Sequence, residues 1–314
     1  MKLGDSNRLS RLVELREWLT PIKDYNTPNE SRSIAADMQI LLTNDDGIES
    51  PGLWAAAQAL SELGFVHVVA PREQSSGAGR SLPVSSDGII REQQVLIHGQ
   101  SWKVYAVGGT PAQAVLHAVL EILPCVNGNA QKPDLVVSGI NYGENVGSGV
   151  TISGTVGAAL EGAGLGIPSL AVSLETDQKH HYTHSDEVDF STASHFTTYF
   201  GRLLLQNRLL PDVDVLKVDI PCDASTQTPW EITRLSRTAY FEATQPERTS
   251  WEAPARIGYR QAVSLGDDTP DTDAYALRVR RVISVTPISL DMTSRVDLPA
   301  FEKLLREEGR LPKS

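Results

Sequence analysis

One stretch near the start constrains the fold most: Gln39-Ile40-Leu41-Leu42-Thr43-Asn44-Asp45-Asp46-Gly47. An apolar run of strand type stops at two adjacent carboxylates and a glycine. Ile40, Leu41 and Leu42 are apolar without alternation, the pattern of a parallel strand covered on both faces. Asn44 to Gly47 are turn formers, and Gly47 tolerates a positive φ. Pro51-Gly52-Leu53 then opens a helical pattern. Strand, crest and helix in that order put Asp45 and Asp46 on the rim where open α/β sheets bind ligands. Two neighbouring anions repel unless a cation or a proton joins them. A hard divalent ion, Mg²⁺ or Mn²⁺, suits a set of oxygen donors. The plain alternative is an acidic turn, and this stretch alone does not decide between the two.

The strand–helix alternation continues beyond this crest. Leu53, Ala56, Ala57 and Leu60 recur at helical spacing, with Gly64 placed to end the helix. Phe65 to Val69 is the second strand of a βαβ unit, and His67 within it is read as a packed or partner-facing residue. The loop Arg72 to Ser81 lies on the same rim. It is rich in hydroxyls and glycine, and its Arg72 and Arg80 are candidate cations for a phosphate. Residues 82–105 read as short antiparallel β segments. Thr110 caps a helix opened by Pro111, and His117 falls on that helix's surface.

Asp134 to Gly139 is the next buried strand. It runs into a long Asn/Gly loop, Ile140 to Thr151, and loops of that length inside a domain are usually functional. Asn141 falls at the strand's rim, where its amide oxygen can complete an oxygen-donor metal site. Ser153 caps an Ala/Gly-rich helix whose free N–H groups suit an anion. No lysine follows the glycines there, so the loop is not a Walker A loop, and no dinucleotide G-x-G-x-x-G is present. Glu161 reads as a buried structural carboxylate. A strand over 167–173, a helix over 191–207 and a strand over 215–220 come next. His180, His181 and His184 suggest zinc, but their polar neighbours read as a solvated loop and no cysteine supports a site. Residues 222–280 read as an excursion of hairpins and turns suited to oligomer contacts. A β segment at 281–287 and a helix at 298–308 close the pattern.

The expected architecture is a Rossmann-like, doubly wound three-layer α/β core with a smaller β-rich excursion near the C-terminus. Residues 1–37 read as a partly disordered N-terminal extension and 309–314 as a tail, leaving 38–308 as the working domain. A chain of 314 residues holds a sizeable core. Its net charge of −11 argues against long nucleic acid as a partner, since no basic patch offsets it. No apolar run reaches membrane-spanning length, so no membrane partner is expected. Cys125 and Cys222 are far apart, which argues against a disulfide scaffold and fits a cytoplasmic setting. Both are read as packing residues.

Thr43-Asn44-Asp45-Asp46-Gly47, Ala70-Pro71 with Ser76 and Gly79, Ser138-Gly139-Ile140-Asn141 and Ser153-Gly154-Thr155-Val156 occur in that order. Together with Gly109-Thr110-Pro111 and Ser284-Val285-Thr286-Pro287, the set resembles the survival protein E (SurE) family of metal-dependent nucleotidases over about residues 38–308. The resemblance implies a phosphatase for nucleoside 5′- and 3′-monophosphates with one divalent metal ion, Mg²⁺ or Mn²⁺, per subunit. It implies Asp45, Asp46, Ser76 and Asn141 as metal ligands, with Asp45 and Asp46 also catalytic. Asn44 would support the site or face substrate, and Ser153, Gly154 and Thr155 would meet the phosphate. It also implies a homodimer or homotetramer. Three departures stand out: the extra residues 1–37, a loosely matching arm near 234–259, and Lys217-Val218-Asp219 where the family pattern leads one to expect asparagines. Two other chemistries use such a crest. One is phosphotransfer through an aspartyl nucleophile, which usually places its second Asp two residues on. The other is a metal-dependent nucleotide-binding or regulatory module without turnover.

Overall fold

A computed structural model describes residues 38–308 except 98, 208 and 265–267. The expected extension over 1–37 and the tail over 309–314 lie outside the described residues.

The first strand is β1 (Gln39–Thr43), followed by α1 (Pro51–Leu60) and β2 (Phe65–Pro71). The next pair, β3 (Ile90–Ile97) and β4 (Gln100–Val107), forms one antiparallel hairpin rather than several short pieces. The helix opened by Pro111 is α2 (Pro111–His117). It continues through a wider π turn (Ala118–Ile122) into α3 (Leu123–Asn127). Thr110 caps it through a reciprocal pair with Gln113. Then come β5 (Leu135–Tyr142), α4 (Gly154–Gly164), β6 (Ser169–Leu174), α5 (Ser191–Gln206) and β7 (Val215–Ile220). The excursion contributes β8 (Trp230–Ile232) and a separate hairpin, β9 (Phe241–Thr244) with β10 (Gly258–Gln261). The chain closes with α6 (Asp273–Tyr275), β11 (Ile283–Ile288) and α7 (Leu298–Glu308).

Nine strands form one sheet in the order β3-β4-β2-β1-β5-β6-β7-β11-β8. The six from β4 to β7 are mutually parallel. β3 and β11 run antiparallel to their neighbours β4 and β7, and β8 lies parallel on β11. The chain winds outward from β1 through β2 to β4, then crosses back to add β5 on β1's other side. The order therefore reverses between β1 and β5, and a crevice opens there above the carboxyl ends.

The unalternating apolar run of β1 follows from cover on both faces. Ile40 and Leu42 pack with α1 and α5, and Leu41 packs with α2 and α4. All three are fully buried. Burying each such side chain stabilises the fold by about 1.5–3 kcal/mol. The α1 helix stops at Leu60, and Gly64 is needed for a different reason than helix termination. A Cβ at Gly64 would lie 2.4 Å from the carbonyl oxygen of Met38.

Candidate active site: a carboxylate pair at the sheet's switch point

Asp45 and Asp46 stand at the carboxyl end of β1, beside the switch point. The crest is fixed first by local bonds. Gly47 donates its N–H to Asn44 Oδ1 (3.2 Å), and Asn44 Nδ2 donates to the Gly47 carbonyl (3.0 Å). Gly47 has φ +94°, which strongly favours glycine. Ile48 donates its N–H to the Pro71 carbonyl (2.9 Å), and Trp54 Nε1 donates to the Ile48 carbonyl (3.0 Å). Asn44 is thus turned into the crest and holds its shape.

Both carboxylates are buried, 4% and 2% exposed. Thr155 donates its hydroxyl to Asp45 Oδ1 (2.5 Å), and the N–H groups of Gly154 and Thr155 also support that carboxylate. Asp45 therefore sits on the positive end of α4. A Cβ at Gly154 would lie 2.7 Å from Asp45 Cβ, so this approach needs glycine. Ser153 accepts the N–H of Val156 (3.1 Å) and caps the helix as expected. The three residues expected to meet a phosphate are at the crest, with Thr155 and Gly154 turned onto Asp45. Asp46 accepts the N–H of Tyr142 on Oδ2 (3.1 Å) and Gln74 Nε2 on Oδ1 (3.1 Å). Burial raises the Asp45 carboxyl above the usual range against the pull of these donors. Burial and then the neighbouring Asp45 push Asp46 well above it.

Asn141 lies on the neighbouring crest of β5. Its Nδ2 donates to the carbonyls of Gly143 (2.6 Å) and Tyr142 (3.2 Å), and its Oδ1 takes part in no hydrogen bond among the described residues. The loop bearing Ser76 is pinned on both sides. Ser75 donates its N–H to the Asp45 carbonyl (2.7 Å), and Gly79 donates its N–H to the Ile152 carbonyl (3.0 Å). Ser76 lies between these anchors with its side chain exposed. The two arginines of this loop are engaged elsewhere. Arg72 pairs with Asp87 (3.1 Å), and Arg80 pairs with the buried Glu161 (2.7 Å).

The charge of the crest is left unmet. Among the described residues no Arg, Lys or His side chain pairs with Asp45 or Asp46. Two buried carboxylates without a counter-ion, beside an amide oxygen and a hydroxyl-bearing loop, form a hard oxygen-donor set. Those residues fit a divalent cation of the Mg²⁺ or Mn²⁺ type. An open cavity of about 360 Å³ lies on the far side of the Gln74–Ser75 segment, lined by Gln74, Ser75, Ser86, Asp87, Gly109 and Thr110 and by neither crest carboxylate. That lies within the size range of small-ligand sites.

Sequence reasoning missed two features of this crest and misread the cysteines. Gln74 bridges Asp46 and the His181 carbonyl (2.7 Å) through its amide nitrogen. The histidine loop is largely solvated, as expected, but one residue of it is docked. His181 is 8% exposed, bonds the Tyr259 hydroxyl (2.9 Å) and stacks on its ring, while His184 Nε2 meets the Asp46 carbonyl (3.1 Å). These partners are 78 and 138 residues apart in the chain, so no local pattern reveals them. Both cysteines are exposed, which corrects the packing reading. Among the described residues the one compact metal-ligand type cluster is Glu175, Cys222 and Asp223. Arg281 already occupies it, at 2.5 Å from Glu175 and 2.6 Å from Asp223.

Comparisons with known proteins identify the family. The family described as Survival protein SurE matches residues 40–242. A 5′-nucleotidase SurE of Thermococcus gammatolerans is 45% identical over 269 residues, covering 85% of this chain and 94% of that protein. A 5′-nucleotidase SurE of Thermococcus kodakarensis is 42% identical over 270 residues, covering 85% and 98%. The crystal structure of the SurE protein from Aquifex aeolicus superposes with a TM-score of 0.65 at 28% identity, covering 85% of this chain and 98% of that one. With the paired carboxylates, the Asn/Gly loop and the capped helix at one switch point, the chain belongs to the SurE family.

Proposed function

We propose that this protein is a metal-dependent 5′/3′-nucleotidase that hydrolyses nucleoside monophosphates to nucleoside and phosphate. The observation that carries the reading is the unmet charge of Asp45 and Asp46 at the switch point. The names of the relatives, 5′-nucleotidase SurE, support the reaction class. Asp45, Asp46, Asn141 and Ser76 are the residues that would hold one Mg²⁺ or Mn²⁺ ion. Bound there, the ion supplies Lewis-acid polarisation of a phosphoryl oxygen and lowers the pKa of water.

The chain's own residues do the rest. One of the two carboxylates would also accept the proton of the attacking water, while the other would be a ligand only. The start of α4, at Ser153, Gly154 and Thr155, keeps a positive dipole end beside the site, where charge develops on the phosphoryl oxygens. Asn44 acts from behind by fixing the turn.

The deciding experiment is phosphate release from a panel of nucleoside monophosphates, in EDTA and then with Mg²⁺ or Mn²⁺. Metal-dependent release that favours nucleotides over sugar phosphates is the expected result. No release by a folded sample with any metal overturns the reading in favour of a binding module.

The assembly we propose is a homodimer or homotetramer. Exposed apolar side chains on α7 (Leu298, Phe301, Leu304, Leu305) and in the hairpin region (Trp251) support it. Sedimentation as a monomer at micromolar concentration would refute it. Among the described residues no helix is long and apolar enough to cross a membrane.

A further inference from the structure

Beneath the Asn/Gly loop lies a group of three charges without solvent exposure: Lys217, Asp219 and Asp273. Lys217 and Asp219 are two apart on β7 and so face the same side of the sheet. The Lys217 ammonium donates to Asp219 and to Asp273 Oδ2, the latter at 3.1 Å. Burial disfavours that ammonium, but the two carboxylates outweigh it and hold the lysine above its usual range.

The carboxylates bond backbone as well as the lysine. Asp219 Oδ1 accepts the N–H of Asn145 (2.8 Å), and Asp273 Oδ2 accepts the N–H of Gly147 (3.0 Å). Asp273 Oδ1 accepts the N–H of Ser236 (2.8 Å). Asn145 is held a second time, by donating Nδ2 to Ser173 Oγ (2.8 Å). Ser148 donates its N–H to the Thr238 carbonyl (3.1 Å). The triad thus ties β7, the Asn/Gly loop, the segment near Ser236 and α6 at one point.

The loop held in this way leads into the crest at both ends. Toward β5, the Gly143 carbonyl orients the amide of Asn141 and so aims its free oxygen. Toward α4, the Ile152 carbonyl holds Gly79, at the end of the segment that carries Ser76. Stability alone does not account for the charges, because a buried ion group is often matched or bettered by apolar residues of similar volume.

We propose that Lys217, Asp219 and Asp273 are positioning residues for the divalent ion, fixing Asn145 and Gly147 so that Asn141 and the Ser76 segment are in place before the ion arrives. This rests on the assignment of Asp45, Asp46, Ser76 and Asn141 as metal ligands. Lys217→Met alone would leave two buried anions facing each other. The paired variant Lys217→Met/Asp219→Asn removes one charge of each sign and keeps an acceptor oxygen for Asn145. Its Mn²⁺ affinity, measured by calorimetry on metal-free protein, should weaken about 10- to 100-fold, the usual cost of losing support behind a ligand. Leu204→Ala, a core variant that packs with Val218 and Ile220 on the sheet face opposite Lys217 and Asp219 and is destabilised in its own right, should bind Mn²⁺ as the wild type does. Amide exchange on metal-free wild-type protein gives a test that needs no variant. Asn145 and Gly147 should exchange as slowly as the amides of β7.

Wild-type Mn²⁺ affinity in the folded paired variant overturns the proposal, as does an equal loss in Leu204→Ala. Fast exchange at Asn145 and Gly147 also overturns it, including where the paired variant does not fold. No Mn²⁺ binding by the wild type fails the metal reading itself, and slow exchange at the two amides would then show that the loop is held for another purpose.

Discussion

Asp46→Asn and Asp45→Asn leave the fold standing and abolish metal-dependent phosphate release, with a loss of at least about 10²-fold in turnover. The change is nearly isosteric. An asparagine at 45 keeps an acceptor for the Thr155 hydroxyl, and one at 46 keeps an acceptor for the Tyr142 N–H while giving up the one that Gln74 Nε2 uses. What disappears is one negative charge from a buried pair that no described side chain neutralises. Removing it weakens the site's hold on a divalent cation. It also relieves repulsion between the neighbours, so in EDTA Asp45→Asn should melt no lower than the wild type, and in Asp46→Asn that relief offsets the lost Gln74 bond. Added metal separates them. A ligand at a hundred times its Kd stabilises a folded protein by about 2.7 kcal/mol. The wild type should gain about that from Mn²⁺, and the variants should gain far less. Thermal melts with and without Mn²⁺, run beside the phosphate assay, check both halves. Full activity in either variant would remove the pair from the site.

Much of this crest is written locally. The apolar run at Ile40 to Leu42 signals two-sided cover, and the structure provides it with helices on both faces of the sheet. Thr110 and Ser153 announce helix starts because capping depends on residues only three apart. The strand–helix alternation suffices for the doubly wound order. Long-range partners are what the sequence hides. Arg72 and Arg80 look available for a phosphate until the fold brings Asp87 and Glu161 to them. His181 looks like one more residue of a solvated loop until Tyr259 arrives from a distant position. Lys217 and Asp219 look out of place in a buried strand until Asp273, 56 residues on from Lys217, completes the charge group. For the buried charge group the deciding energy is desolvation, which depends on what else is buried at that point; for the exposed Arg72–Asp87 pair it is proximity, which only the fold supplies.

Glu144→Gln makes the metal-free protein more stable at pH 8 than the wild type and leaves it unchanged near pH 4. Glu144 belongs to the Asn/Gly loop and is 6% exposed. Its Oε2 has no partner among the described residues, and the carboxylates of Glu175 and Asp219 lie near enough to repel it. Burial, followed by those charges, raises its pKa from 4.5 to about 8. A carboxyl raised in this way binds a proton in the folded state but not in the unfolded state between the two values. Stability is therefore lost as pH rises from about 4.5 to about 8 and is level outside that window. One pKa unit is worth about 1.36 kcal/mol. The full offset would approach roughly 5 kcal/mol, but loop relaxation toward water should bring the gain nearer the ~1–3 kcal/mol of one unsatisfied buried polar group. Glutamine fills the same space and stays neutral throughout, so its advantage should grow across that window and nowhere else. Urea midpoints of both proteins at pH 4, 6 and 8 in EDTA measure this difference directly. Parallel pH dependence in the two proteins would mean that the carboxyl reaches water in solution, and that the loop between Asn141 and Gly147 opens more readily than its buried anchors imply.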